Sequence, residues 1–267
     1  MNGSRKGSRQ RLDALLVERG LAESRSRAEA LILSGTVRVG DRKVTKAGTR
    51  IAPDEPLHVE TRERFVSRSG EKLDAALEAF GVSVEGRYCL DAGASTGGFT
   101  DVLLQRGAGR VLAVDVGYGQ FAWSLRNDSR VTVMERTNVR RLSGENLPFA
   151  PDLLVADLSF ISLAVALQGI FATTPSLREA ILLVKPQFEA GPEAVGRGGL
   201  VRDPGVQAAV ILNVVRFFGE LGFAAVGVMR SAVAGRKSGN VEYPVHLVRG
   251  TVSSLDELRV REVVTGG

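Results

Sequence analysis

The sequence predicts an α/β protein in two parts, a small α+β module at the N-terminus and a larger, doubly wound domain behind it. Three observations predict this. From residue 88 onward, apolar stretches of strand length alternate with helical stretches, the order that builds a sheet covered by helices on both faces. Four of the apolar stretches end on a charged residue, Asp91, Asp115, Asp157 and Lys185, at the carboxyl edge where such sheets bind ligands. The excess positive charge is confined to one end: residues 1–72 hold 16 Lys and Arg against 10 Asp and Glu, and the remainder holds 19 against 20. A basic end on a neutral body points to a polyanionic partner.

The first ten residues read as a solvated arm. Residues 11–20, RLDALLVERG, place Leu12, Leu15 and Leu16 on one helical face, with Gly20 as a stop. A second helix follows, with Ser26 and Glu29 as a capping box, Ala28, Leu31 and Ile32 as the apolar stripe, and Gly35 as its end. Residues 36–39 alternate, turn at Gly40-Asp41 and return through Lys43-Val44 as a hairpin, and Leu57 and Val59 mark a further short strand. Residues 61–71 form a polar connector around Phe65-Val66. The expected division is therefore 1–60, a linker over 61–71, and 72–267. A helix is expected from Lys72, with Leu73, Ala76, Leu77 and Phe80 on one face. Strands are expected at 88–90, 110–114, 131–134, 153–156, 181–184, 223–229 and 241–248, and helices at 99–105 and 204–220, all built on a parallel sheet.

Hydrophobic residues make up 44% of the chain, enough for a buried core. The single cysteine, Cys89, lies in an apolar run and rules out an intrachain disulfide. With only His58 and His246 beside it, the ligands for a structural zinc site are missing, so no metal is expected. The N-terminus lacks the apolar stretch of a secretory signal, and no segment has the length of a transmembrane helix. A cytoplasmic location without a membrane partner is expected.

Residues 91–99, DAGASTGGF, join a strand to a helix. Glycines there let the backbone come close to a cofactor. Asp115, at the end of the next strand, is placed for ribose hydroxyls. A dinucleotide fingerprint wants glycine where Ser95 stands. The same turn also reads as G-x-S-x-G, a nucleophile elbow, with Asp157 and His246 following in hydrolase order. An α/β esterase using Ser95 is thus one alternative. It leaves Asp115 without a role, puts His246 inside a strand and does not account for the basic module. A non-catalytic RNA-binding factor is the other. In that module Arg11, Arg25 and Arg27 stand at helix starts, and Lys43 and Lys46 on or after the hairpin, suited to RNA phosphates.

The form D-x-G-x-S-x-G resembles motif I of S-adenosylmethionine methyltransferases. R-L-D-x-x-L at 11–16, Ser26-Arg27 leading into Ala30, and G-x-V-x-V at 35–39 resemble the S4-type RNA-binding domain. The motifs LDAGASTGGFTDVLL, VDVGYGQ, DLSFIS, VKPQFE and SGNVEY, in that order, resemble the TlyA family over roughly residues 11–250. Members of that family, some labelled haemolysins, are similar to FtsJ-type ribose 2′-O-methyltransferases with an S4-type domain in front. The resemblance implies a Rossmann-like catalytic domain, S-adenosyl-L-methionine as cofactor, and the cytidine ribose of ribosomal RNA, in ribosomal subunits, as substrate. It also implies an effect on susceptibility to capreomycin-type antibiotics. It implies Lys72, Asp157, Lys185 and Glu242 as the catalytic set. The cofactor residues it implies are Asp91, Gly93, Ala94, Ser95, Gly97, Gly98, Phe99, Asp115, Val116 and Asp157. Some relatives carry Trp in the connector where this chain has Phe65. A pore-forming role, suggested by the haemolysin label, finds no signal peptide, membrane span or amphipathic pore segment.

The chemistry suits these residues. A ribose 2′-hydroxyl must be aligned with the methyl donor and must lose its proton. Lys185 is the candidate to contact it, as a base or as an electrostatic stabiliser of the developing alkoxide. Phe160 and Phe188 either stack on a base or pack in the core, and the glycines at 196–199 form either a mobile loop or a plain turn.

Overall fold

A computed structural model describes residues 8–59, 64–231 and 239–266. They fall into two compact units, divided between Arg64 and Phe65. The N-terminal unit runs β1 (Gln10–Arg11), α1 (Leu12–Glu18), α2 (Arg25–Leu33), β2 (Val37–Val39), β3 (Arg42–Lys43), β4 (Arg50–Ile51) and β5 (Leu57–Val59). Strands β3, β2 and β5 form an antiparallel sheet in that order, and β1 pairs with β4. Val39 pairs with Arg42 across the expected two-residue turn. Leu12, Leu15 and Leu16 of α1 close on Ala28 and Ile32 of α2 and on Val37 and Val39, all buried. The cap of α2 is Ser24, not Ser26. The helix starts at Arg25, and the extended Ser24 lets its Oγ accept the Arg27 N–H at 3.2 Å. Ser26 already lies inside the first turn.

The second unit opens with α3 (Ser69–Phe80), three residues ahead of the expected start at Lys72. It continues through β6 (Tyr88–Ala92), α4 (Gly98–Gln105), β7 (Arg110–Val114), α5 (Trp123–Arg126), β8 (Val131–Met134), β9 (Leu153–Ala156) and α6 (Leu163–Thr173). Then come β10 (Glu179–Val184), α7 (Pro186–Glu189), α8 (Pro204–Glu220), β11 (Phe223–Val228), β12 (Tyr243–Arg249) and α9 (Glu257–Thr265). The seven strands lie in the order β11-β12-β10-β9-β6-β7-β8.

Alternation along the strands sends Leu90, Leu112, Leu154 and Leu182 to one face, with α6 and α8, and Cys89, Val111, Leu153 and Ile181 to the other, with α3 and α4. Each large side chain fully buried this way contributes about 1.5–3 kcal/mol. The sheet is mixed, which corrects the expectation of a parallel one. Strand β12 slots between β10 and β11 and runs antiparallel to both. An antiparallel neighbour needs no helical crossover, and β12 follows β11 without one among the described residues. This geometry sets up the site. Val184 pairs with Tyr243, so Lys185, just past β10, and Glu242, just before β12, arrive at the same edge of the sheet.

Candidate active site

The loop from β6 to α4 follows the strand-to-helix turn read from the sequence, and its backbone has the positive φ such a turn needs. Gly93 has φ +87°, and an added Cβ would stand 2.6 Å from the Asp157 carbonyl oxygen, so only glycine fits. Ser95 takes φ +49° and Gly97 φ +96°. The N–H groups of Gly93 and Ala94 donate to the Val114 carbonyl, which fastens the loop to β7. Asp115, half-buried at the end of β7, accepts the Ser95 N–H at 2.8 Å through Oδ2 and the Gly117 N–H at 2.6 Å through Oδ1. Beside it Val116 is 69% exposed, an open apolar shelf. Gly98 and Phe99 are buried in the first turn of α4, and Phe99 belongs to the core.

Asp91 lies fully buried beneath this loop. Its Oδ2 accepts from Thr100 Oγ1 at 2.7 Å, and its Oδ1 has no partner. Burial pushes its carboxyl up to about 7, against the opposing pull of the Thr100 hydrogen bond.

The four charged candidates come together in one chain of contacts. Lys72 Nζ of α3 lies 2.5 Å from Glu242 Oε2 and 4.0 Å from Asp157 Oδ2. Lys185 Nζ lies 2.5 Å from Asp157 Oδ1 and donates to Ser159 Oγ at 2.9 Å. All four side chains are 15% exposed or less. Asp157 therefore sits between two lysines, and its backbone carbonyl faces Gly93. Ser159 is the residue that the sequence reading missed. Its signal was its place two residues past the strand-ending Asp157, within DLS.

The exposed Phe160 corrects half of an earlier expectation. It is 90% exposed with φ +65°, so it is not a core residue. Its ring stands 5.0 Å from that of the partly buried Phe188, which lies 5.9 Å from Lys185 Nζ. A large apolar side chain held out in solvent on a left-handed backbone is a costly arrangement, and such strain clusters at functional sites. Glycines 196–199 are closed into a turn by Gly196 N–H to Leu200 O and Gly199 N–H to Gly196 O.

The hydrolase constellation does not assemble. His246 pairs with Ile181 in mid-strand, and β10 and β9 lie between its strand and β6. Its Nε2 is 2.6 Å from Glu179 Oε1, and its ring stacks on Phe80 at 5.3 Å. Both are structural contacts.

In the N-terminal unit Arg11 and Arg25 converge on Asp13, at 2.7 and 3.1 Å. Asp13 is fully buried, and the Arg11 guanidinium, helped by Arg25, holds its carboxyl well below the usual carboxylate range. The two arginine side chains remain 44% and 59% exposed. Arg27, Lys43 and Lys46 are also exposed. No group of three His, Cys, Asp or Glu among the described residues could hold a metal ion, and no helix among them is long and apolar enough to cross a membrane.

Comparison with known proteins gives consistent matches. The FtsJ-like methyltransferase family model matches residues 65–249, and the S4 domain model matches residues 10–57. The chain is 50% identical over 258 residues to the 16S/23S rRNA (cytidine-2'-O)-methyltransferase TlyA of Mycobacterium tuberculosis, with 96% of each chain covered. It is 41% identical to Hemolysin A of Brachyspira hyodysenteriae, covering 89% of this chain and 99% of that one. Among solved structures, a hemolysin-named protein of Streptococcus thermophilus superposes with a TM-score of 0.73 at 37% identity, covering 97% and 95% of the two chains.

Proposed function

The chain belongs to the FtsJ-like methyltransferase family and carries an S4 domain ahead of the catalytic one, and from that premise we propose that it methylates the 2′-hydroxyl of cytidine in ribosomal RNA, with S-adenosylmethionine as donor. The observation that carries this reading is the row Glu242–Lys72–Asp157–Lys185, set at the carboxyl edge of the sheet beside the glycine loop. The relative from Mycobacterium tuberculosis is named for that reaction on 16S and 23S rRNA. An altered susceptibility to capreomycin-type antibiotics on loss of the protein is part of the same proposal.

The residues present fit the cofactor. The glycine turn held tight against the Asp157 carbonyl at Gly93, an unpartnered buried oxygen on Asp91, the Asp115 carboxylate and the exposed Val116 lie along one loop and the strand end beside it. Asp91, Gly93, Ala94, Ser95, Gly97, Asp115, Val116 and Asp157 would hold the donor, and Gly98 and Phe99 would shape the loop. When bound, S-adenosylmethionine supplies an electrophilic methyl group on a sulfonium.

Lys185 has three N–H groups. One faces Asp157 and one Ser159, which leaves the third for the ribose oxygen. We assign it to hold that oxygen in line with the methyl group and to stabilise the charge that builds on it. With the donor bound, Lys185 would hold the ribose oxygen through the transfer, and the hydroxyl proton would pass to water. Asp157 orients Lys185, and Lys72, anchored by Glu242, keeps Asp157 in place. Phe160 offers a face for the target base. Arg11, Arg25, Arg27, Lys43 and Lys46 contact phosphates, so the first unit raises the local concentration of substrate at the second.

The test is tritium transfer from labelled S-adenosylmethionine to ribosomal subunits of a strain lacking this gene. Incorporation at cytidine 2′-oxygens by the wild type, absent with Lys185→Ala, is the expected result. No incorporation into either subunit while the cofactor still binds would overturn the reading.

A further inference from the structure

Glu242 anchors Lys72, yet the ladder of β12 begins one residue later, at Tyr243. One main-chain bond ties Glu242 itself, its carbonyl accepting the Ser231 N–H at 2.9 Å, and side chains on either side of it supply the rest of the support. Asn240, only 3% exposed, spends both ends of its amide on one turn. Its Nδ2 donates to the Gly199 carbonyl at 2.7 Å, and its Oδ1 accepts the Val201 N–H at 3.0 Å. Tyr243, fully buried, donates its hydroxyl to Gln207 Oε1 at 2.6 Å, and Gln207 Nε2 donates to the Val201 carbonyl at 2.7 Å.

Val201 is thus gripped through both its backbone groups, by Asn240 on one side and by Gln207 on the other. The links close into a ring: Asn240, Val201, Gln207, Tyr243, and back through the main chain across Val241 and Glu242. The ring is buried and each of these polar groups has its partner. A satisfied network of this kind fixes one geometry, because any shift leaves a desolvated group unpaired. The segment it fixes is the one that carries the Glu242 carboxylate.

We propose that Asn240 is a positioning residue for methyl transfer: with Val201, Gln207 and Tyr243 it sets the Glu242 carboxylate against Lys72, and through Lys72 and Asp157 it sets Lys185. The turn at 199–201 and the start of α8 are then part of the catalytic support, although about forty residues separate them from Glu242 in sequence. The kinetic side of this proposal rests on the methyltransferase reading above, and the positional side does not.

The experiment uses the full chain with Asn240→Ala, and with Tyr243→Phe, which removes a single hydroxyl and carries the test if the first variant does not fold. Two readouts are taken. The first is the slowly exchanging ¹⁵N ammonium signal of Lys72, which reports its pairing with Glu242. The second is the single-turnover rate of methyl transfer, with the dissociation constants of cofactor and RNA measured beside it. We expect Asn240→Ala to weaken or abolish the Lys72 signal and to lower the rate by about 10- to 100-fold, the scale of a displacement near 1 Å. Both dissociation constants should stay within about twofold, and Tyr243→Phe should give the same pattern in smaller degree. In a Glu242→Gln background, Asn240→Ala should lower the rate no further, since the path through Glu242 is already cut. A folded Asn240→Ala with the Lys72 signal and the rate intact, or a loss that simply multiplies with that of Glu242→Gln, would overturn the proposal. If the wild type moves no methyl group to RNA, the functional reading fails, and the Lys72 signal alone still decides the positioning.

Discussion

Replacing Lys72 by methionine keeps most of the unbranched side chain and removes the charge. Lys72 Nζ is 2.5 Å from Glu242 Oε2 and 4.0 Å from Asp157 Oδ2, and Glu242 is only 5% exposed. At an effective dielectric of about 20 these distances give Coulomb attractions of about 7 and about 4 kcal/mol. Desolvation of the three ions offsets most of that, at several kcal/mol per ion. The net effect of Lys72→Met is set by the carboxylate left buried without a counter-charge, about 3–5 kcal/mol. In a unit of this size that lowers the melting temperature by roughly 10 °C. The informative comparison is Lys72→Met with Glu242→Leu, which removes the stranded charge as well. Replacing both members of a buried pair by apolar groups is often close to neutral. The double variant should therefore regain stability to within about 1 kcal/mol of the wild type, yet remain at least about 100-fold down in single-turnover methyl transfer, since Asp157 has lost its anchor. Differential scanning calorimetry and the labelled-methyl assay, run on the same preparations, decide it. If methyl transfer returns together with stability, the Lys72–Glu242 pair is a structural strut and its assignment to the reaction is wrong.

Three further outcomes follow from the geometry. Phe160→Ala should change stability by no more than about 0.5 kcal/mol, because the ring is exposed, while kcat/KM for RNA falls by about 5- to 100-fold through loss of a stacked base; equal kinetics would remove the ring from the substrate site. Asp91 keeps its proton in the fold up to about pH 7 and loses it near pH 4 when unfolded. Its contribution is therefore fully present below about pH 4 and is lost as the pH rises to 7, on the order of 4 kcal/mol in all. Denaturant melts of the wild type and Asp91→Asn at pH 5 and pH 8 should show the pH dependence shrinking in the variant, and identical slopes would refute this. Burial pushes the Cys89 thiol up to about 12, so iodoacetamide at pH 8 should label the denatured chain and spare the native one; rapid native labelling would mean that β6 opens.

The parts of the fold legible in the sequence are those where local pattern and tertiary role agree. The runs 110–114, 131–134 and 153–156 are strands at those bounds, and the helix over 204–220 begins at Pro204 behind its Asp203 cap and ends at Glu220. Helix α6 was missed because LAVALQGIFAT is apolar all round and offers no polar face to mark a helical period. Helix α9 did carry a signal, Asp256 as its cap ahead of an alternating apolar and charged stretch. The direction of β12 was not legible, since an apolar run reads alike both ways. Of the site, the strand-ending Asp115, Asp157 and Lys185 stood out because a charge after an apolar run needs a reason. Lys72 and Glu242 look ordinary in the sequence, and only the register of β12 and the course of α3 bring them together. The burial of Asp13 beneath Arg11 and Arg25 was equally hidden.

The insertion of β12 between β10 and β11 also bears on the order of events during synthesis. Lys72 emerges from the ribosome early and Glu242 late, separated by 170 positions. A nascent chain can lay down the first unit and the parallel strands β6 to β10 while the slot for β12 stands empty. Over that interval Lys72 has no carboxylate from Glu242, and the edge of β10 is unpaired. If the reaction runs as proposed above, competence switches on with the last strand, and an unfinished or C-terminally clipped chain would take hold of RNA through its first unit without modifying it, an occupant of the substrate rather than an enzyme.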